Sequence, residues 1–216
     1  MNIIVERFNK IKLNIASTKP SKPVNIIAVS KTFSKEHIRP LIEHGHNHFG
    51  ENKVQEASAK WSEIKKDNQN LKLHMIGKLQ SNKAKDAVKI FDYIHSLDNQ
   101  KLADSLAKYQ NKLNKNLEYF IQVNIGNEIQ KSGIPVNQLD PFYNYCINDI
   151  NLKIIGLMVI PPNDNKPEKY FKTLNELNKS LALENLSMGM SADYIEAIKY
   201  GATFVRIGSS IFGSRS

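Results

Sequence analysis

The feature that most constrains this chain is the recurrence of short β-rich segments with helical stretches between them. Five fall at residues 25–31 (NIIAVSK), 46–51 (HNHFGE), 72–77 (KLHMIG), 92–98 (DYIHSLD) and 118–126 (EYFIQVNIG). Three more follow at 152–160 (LKIIGLMVI), 185–191 (NLSMGMS) and 203–213 (TFVRIGSSIFG). A helical pattern between most neighbours points to parallel βα units. An open doubly wound sheet and a closed (β/α)8 barrel both accept such a pattern. About eight strands favour the barrel, and the first strand runs into VSKTFSKEHI, which lacks the glycine-rich turn of a dinucleotide-binding sheet. With 216 residues the chain is near the lower end for barrels, so residues 1–216 read as a single domain without inserts. Ahead of the first strand, Ile3, Ile4, Phe8, Ile11 and Ile15 recur at spacings of three and four. They predict an extra N-terminal amphipathic helix, which the breaker cluster STKPSKP ends.

Composition removes several classes of function. The net charge of +9 invites a nucleic-acid reading, but the lysines are dispersed through helical stretches and interleaved with asparagine. No zinc-finger spacing, basic arm or aromatic RNA-binding motif accompanies them. No apolar run approaches the roughly 20 residues of a membrane helix, and the N-terminus mixes charge with apolar residues, unlike a secretory signal. The expectation is a soluble cytoplasmic protein, bound neither to membrane nor to nucleic acid. The single cysteine, Cys146, reads as a packing residue.

In a barrel the site lies at the C-terminal ends of the strands, commonly with a phosphate held by the loops after strands seven and eight. Here the seventh is followed by SMGMSADYIEAI, where Gly189 permits a tight backbone and Ser191 stands as an N-cap or as a hydroxyl donor to an anion. The eighth is followed by Gly208, which lets backbone N–H groups approach closely, and by the hydroxyls of Ser209 and Ser210. Lys31 ends the first strand, which a closed barrel bonds to the eighth, so its amine lies beside any anion held there. A lysine in a partly dry pocket is a common Schiff-base former, and a compound that is both aldehyde and phosphate is pyridoxal 5′-phosphate. That cofactor needs a partner for its ring nitrogen, and Arg206 lies two residues before Gly208 on the same strand face.

The stretches AVSKTF, FGENKVQEA, HMIGKLQSNKAK, KSGI, GLMVIPP, LSMGMSADYIEAI and GATFVRIGSSIFG, in this order, resemble the YggS/PROSC family of pyridoxal phosphate homeostasis proteins over nearly the whole chain. The resemblance implies a fold-type III barrel similar to the N-terminal domain of alanine racemase, with pyridoxal phosphate bound as a Schiff base to Lys31. It implies that Arg206 faces the ring nitrogen, that Ser191, Gly208 and Ser209 hold the phosphate, and that Asn52 and Met158 line the ring pocket. It also implies a carrier and regulator of vitamin B6 rather than an enzyme, with apo forms of cofactor-dependent enzymes as candidate recipients. Racemases with a similar barrel take a second acid/base, a tyrosine, from a further β domain, and the sequence closes soon after the eighth strand. The enzyme alternative is a small amino-acid racemase.

His44, His46 and His48 alternate and would share a face in extended backbone, but His44 precedes the strand and no carboxylate except Glu51 is suggested to support such ligands, so no metal is assigned. His74 and Lys78 flank Gly77 at the end of the third strand, where His74 either faces the site or is a satisfied structural histidine, and Lys131 sits in a loop on the same side, either as a second amine for cofactor transfer or, more simply, as a solvated lysine. Trp61 reads as a helix residue packed on the barrel's outer layer. A complete helical layer suggests a monomer.

Overall fold

The computed structural model describes residues 2–128 and 130–213. Eight parallel strands close into a barrel: β1 (Asn25–Val29), β2 (His48–Glu51), β3 (Lys72–Met75), β4 (Tyr93–Leu97), β5 (Glu118–Asn124), β7 (Ile154–Met158), β8 (Asn185–Met190) and β9 (Phe204–Ile207). Each pairs with the next, β4 with β5 and β5 with β7, and β9 pairs with β1 to complete the circle. A two-residue β6 (Ile134–Pro135) hangs on the end of β5 outside the circle. The strands are buried on both faces because one face meets the barrel interior and the other the helices, the condition that parallel sheets require.

The outer layer comprises α2 (Lys35–Glu43), α3 (Val54–Asp67), α4 (Ala84–Ile90), α5 (Gln100–Lys112), α6 (Leu139–Asn144), α7 (Pro167–Ser180) and α8 (Tyr194–Lys199). The N-terminal helix α1 (Ile3–Ser17) starts at Asn2, whose side chain accepts from the Ile4 N–H, a capping bond that satisfies one orphan donor. It buries Ile4, Val5, Phe8, Ile11 and Ile15 and packs against α2, α8 and the short α9 (Ser209–Phe212). Ile3, expected on the apolar face, points outward, and Val5 takes its place.

Every expected strand is shorter than the sequence suggested, and three show why. The span 203–213 is strand only to Ile207, because Ile211, Phe212 and Gly213 donate back to Gly208 and Ser209 and wind that stretch into α9. The second strand begins at His48, since Gly45 at φ +87° ends the preceding helix and the His46 N–H is tied to the Leu41 carbonyl. The fifth stops at Asn124, where the chain turns. Trp61 is fully buried against Phe49, and Cys146 is fully buried, with burial pushing its thiol up to about 12. Among the described residues no helix is long and apolar enough to cross a membrane.

Candidate functional site

Lys31 sits in a tight turn at the C-terminal end of β1. The turn is closed by Phe33 N–H donating to the Ser30 carbonyl at 3.2 Å, and Thr32 at its third position has φ +71°. That conformation normally asks for glycine, and a β-branched residue there costs about 1–3 kcal/mol unless its surroundings enforce it. Ser30 supplies the enforcement. It is fully buried, its N–H donates to the Gly50 carbonyl, and its hydroxyl donates to Glu51 Oε1 at 2.8 Å. The Lys60 ammonium bridges the Ser30 carbonyl at 2.8 Å and Glu51 Oε1 at 2.9 Å, and the Trp61 indole N–H donates to the same oxygen at 2.9 Å. A buried carboxylate with three donors thus clamps the turn that presents the lysine. Sequence reading placed Trp61 in the outer layer and saw Glu51 only as a carboxylate beside the histidines; its role as the clamp needs three elements in contact.

Arg206 enters from β9, where it pairs in register with Ile27 of β1. It is only 4% exposed; it donates to Ser187 Oγ at 2.8 Å and to the Val159 carbonyl at 2.9 Å. Burial pulls its guanidinium down to about 10, partly offset by Asp193, so it stays charged at neutral pH. Among the described residues no carboxylate pairs with it. A buried cation with unused donors is costly unless something anionic or strongly accepting completes it.

Ser191 does not cap α8. Asp193 takes the cap position, without a side-chain bond to the helix, and accepts from the Met190 N–H at 2.6 Å. The Ser191 hydroxyl oxygen instead receives the Gly208 N–H at 3.3 Å and the Ser210 N–H at 3.4 Å from the loop after β9. Two backbone donors converging on one oxygen form a small concave anion cradle. Gly189 at φ +89° makes the approach possible: a Cβ there would also lie 2.6 Å from that of Ala197.

These elements surround one cavity of about 530 Å³ at the C-terminal mouth. Lys31, Asn52, Ser191, Arg206, Gly208 and Ser209 line it, as do Val29, Phe33, Ile76, Ile160 and Met190. Ile160 and Met190 are each 39% exposed, large apolar side chains left at the rim of a polar floor, the usual walls for a flat ring. Met158 needs correction: it is fully buried below the cavity with Ile27, Phe120 and Phe204, and Ile160, two residues further on, takes the lining place. An adjoining cavity of about 370 Å³ shares Asn52, Ile76 and Ile160 and carries Lys78 and Lys131. The Lys131 ammonium is held by Glu128 at 2.6 Å and donates to the Pro161 carbonyl at 3.3 Å.

The alternating His44, His46 and His48 do not converge on one point. His44 bonds Asn9, His46 bonds the His48 carbonyl, and His48 turns inward to His74. Among the described residues no group of three metal-ligating side chains forms. His74 is fully buried inside the barrel rather than at the rim.

A closed parallel barrel whose cavity joins a strand-end lysine, a buried arginine and an N–H cradle has the architecture of the alanine racemase N-terminal domain, and the model of that family matches residues 8–216. The pyridoxal phosphate homeostasis protein of Aquifex aeolicus is 41% identical over 199 residues, 88% of this chain and 86% of the relative. That of Synechocystis is 39% identical over 210 residues, 93% of this chain and 95% of the relative. PipY of Synechococcus elongatus, solved with PLP bound, is 35% identical with a TM-score of 0.86, covering 97% of this chain and 100% of PipY. The chain belongs to the alanine racemase N-terminal domain family and, within it, to the pyridoxal phosphate homeostasis proteins. Alanine racemase of Clostridium difficile, 13% identical at a TM-score of 0.73, shares the fold; this chain spans 57% of it.

Proposed function

We propose that this chain binds pyridoxal 5′-phosphate at the C-terminal mouth and serves its homeostasis, holding the cofactor rather than turning over a substrate. The observation that carries the reading is Arg206, a buried guanidinium that pairs with no carboxylate among the described residues, at the floor of the cavity that Lys31 lines. Lys31 captures the aldehyde as a Schiff base, its nitrogen replacing the carbonyl oxygen with loss of one water. Arg206 donates to the ring nitrogen, and a guanidinium that keeps its proton leaves that nitrogen unprotonated. The Gly208 and Ser210 N–H groups, with the Ser191 and Ser209 hydroxyls, take the phosphate, while Asn52, Ile160 and Met190 bound the ring.

The cofactor supplies a masked aldehyde and, with a protonated ring, an electron sink; Arg206 keeps the sink weak. Racemisation also needs a proton acceptor on each face of the substrate carbon. Among the described residues lining this cavity, Lys31 and Arg206 are the only ionisable side chains, and a guanidinium does not give up its proton. The lining therefore favours storage and release over inversion of an amino acid. The test is a visible absorption spectrum followed by borohydride reduction and peptide mapping. A yellow protein whose reduced adduct maps to Lys31 supports the assignment, and a protein that stays colourless with added pyridoxal phosphate removes it. Inversion of added L- or D-alanine would move the reading to a racemase.

A further inference from the structure

The interior of the barrel is not apolar throughout. Four polar side chains stack along its axis below Arg206, and each touches the next. Arg206 donates to Ser187 Oγ, which lies 2.8 Å from His95 Nδ1. His95 Nε2 is 2.9 Å from His74 Nδ1, and His74 Nε2 is 2.9 Å from His48 Nδ1. Ser187, His95 and His74 are fully buried; His48 lines a separate cavity of about 380 Å³ at the N-terminal mouth, beneath α1.

The protons in such a column are not free to choose. A neutral imidazole has one donor and one acceptor nitrogen, so His74 and His95 must pass the bond in one direction. Arginine only donates. If the column ran upward, Ser187 Oγ would accept from both Arg206 and His95, leaving its own proton with no acceptor among the bonds it makes. If it runs downward, the Ser187 hydroxyl donates to His95 Nδ1, His95 Nε2–H to His74 Nδ1, and His74 Nε2–H to His48 Nδ1, so that each bond of the column has one donor and one acceptor. The guanidinium therefore sets the tautomer of all three histidines.

We propose that Ser187, His95, His74 and His48 are positioning residues for Arg206, forming one hydrogen-bonded column of a single polarity that couples the ligand cavity to the opposite mouth of the barrel. Protonation of His48 removes the acceptor at the foot of the column. His74 then loses its partner unless the column reverses, and reversal takes away the Ser187 hydroxyl's acceptor and loosens the hold on Arg206. The groups facing His48 are Lys72 and Asp92, whose charges oppose one another, the rings of His46, His74 and Tyr93, and Lys12 and His44 across the same cavity.

The inference rests on the assignment of pyridoxal phosphate for one of its two readouts only. The first is ¹⁵N NMR of the histidine-labelled full chain at about pH 8, which distinguishes Nδ1–H from Nε2–H imidazoles without any ligand. All three column histidines are expected as Nε2–H, with the pattern lost in Ser187→Ala; Nδ1–H at His74 or His95 overturns the column. The second is pyridoxal phosphate affinity. Ser187→Ala is expected to weaken it about tenfold, the worth of one charge-assisted hydrogen bond, and to shift the absorption of the bound cofactor. His48→Gln still accepts from His74 but takes up no proton, so it is expected to remove part of the affinity loss that the wild type shows between about pH 8 and pH 5. Wild-type pH dependence retained in His48→Gln, with Ser187→Ala binding normally, overturns the coupling. If the wild type binds no pyridoxal phosphate, the cofactor assignment fails and the NMR result alone decides the column.

Discussion

The two mouths of the barrel hold cavities of comparable size, about 530 Å³ and about 380 Å³, and both carry cationic or basic side chains. They differ in backbone. At the C-terminal mouth the chain leaves the strands through loops that present N–H groups, a strained turn at Lys31 and glycine-dependent close approaches. At the other mouth α1 lies across the entrance and the basic groups are held by local bonds, His44 to Asn9 and His46 to the His48 carbonyl. Volume and charge are therefore poor markers of a site; converging donors whose own partners are missing or borrowed are better ones.

The sharpest way to break this comparison is Lys31→Ala, which is expected to abolish the reducible covalent adduct, as read by borohydride trapping and mass mapping. Glu51→Ala comes next. Removing a fully buried carboxylate that neutralises Lys60 and anchors Ser30 is expected to cost about 3–5 kcal/mol in urea unfolding, with the Lys31 turn released. Gly77→Ala, where a Cβ would sit 2.4 Å from the Asn52 carbonyl oxygen, is expected to cost about 1–3 kcal/mol and to weaken ligand binding by moving Asn52. Acid exposes the basic mouth. Burial lowers His46 to about 4 and also lowers His48, His74 and His95. The unfolded chain thus binds more protons than the fold below about pH 6.5, and stability present above that pH falls as the solution is acidified toward pH 4. The urea midpoint at about pH 5 is expected below that at about pH 7.5, with a smaller drop in His46→Gln. The smallest effect is expected from Lys131→Ala, since its amine is already engaged by Glu128 and Pro161: the Lys31 adduct forms as before.

Much of the fold was legible because parallel strands buried on both faces leave unbroken apolar runs, and eight of them with helices between allow few closures. Lys31, Arg206, Gly208 and Ser209 were legible for a related reason: strand ends and glycine loops carry their own local signals. Met158 was misplaced because a strand's last residue can still lie below the rim, and how far the rim rises depends on the stagger between strands. Ser191 stood as a cap or as a hydroxyl for an anion, and only the contacts removed the cap, because its donors come from a loop 17 residues away. Ser187 and His95 were not singled out, although each is a polar residue at an inward position of an otherwise apolar strand.

By itself the sequence determined which segments are strands, that they are parallel, and which loops carry a lysine, an arginine and close-approach glycines, since these follow from periodicity and backbone chemistry near in the chain. Only the tertiary structure decided that Glu51 clamps the Lys31 turn and that Arg206, Ser187, His95, His74 and His48 touch end to end. Those contacts join three and five different elements respectively, and they exist because closing the barrel brings positions of distant strands together, where the absence of water forces each polar group to find the next.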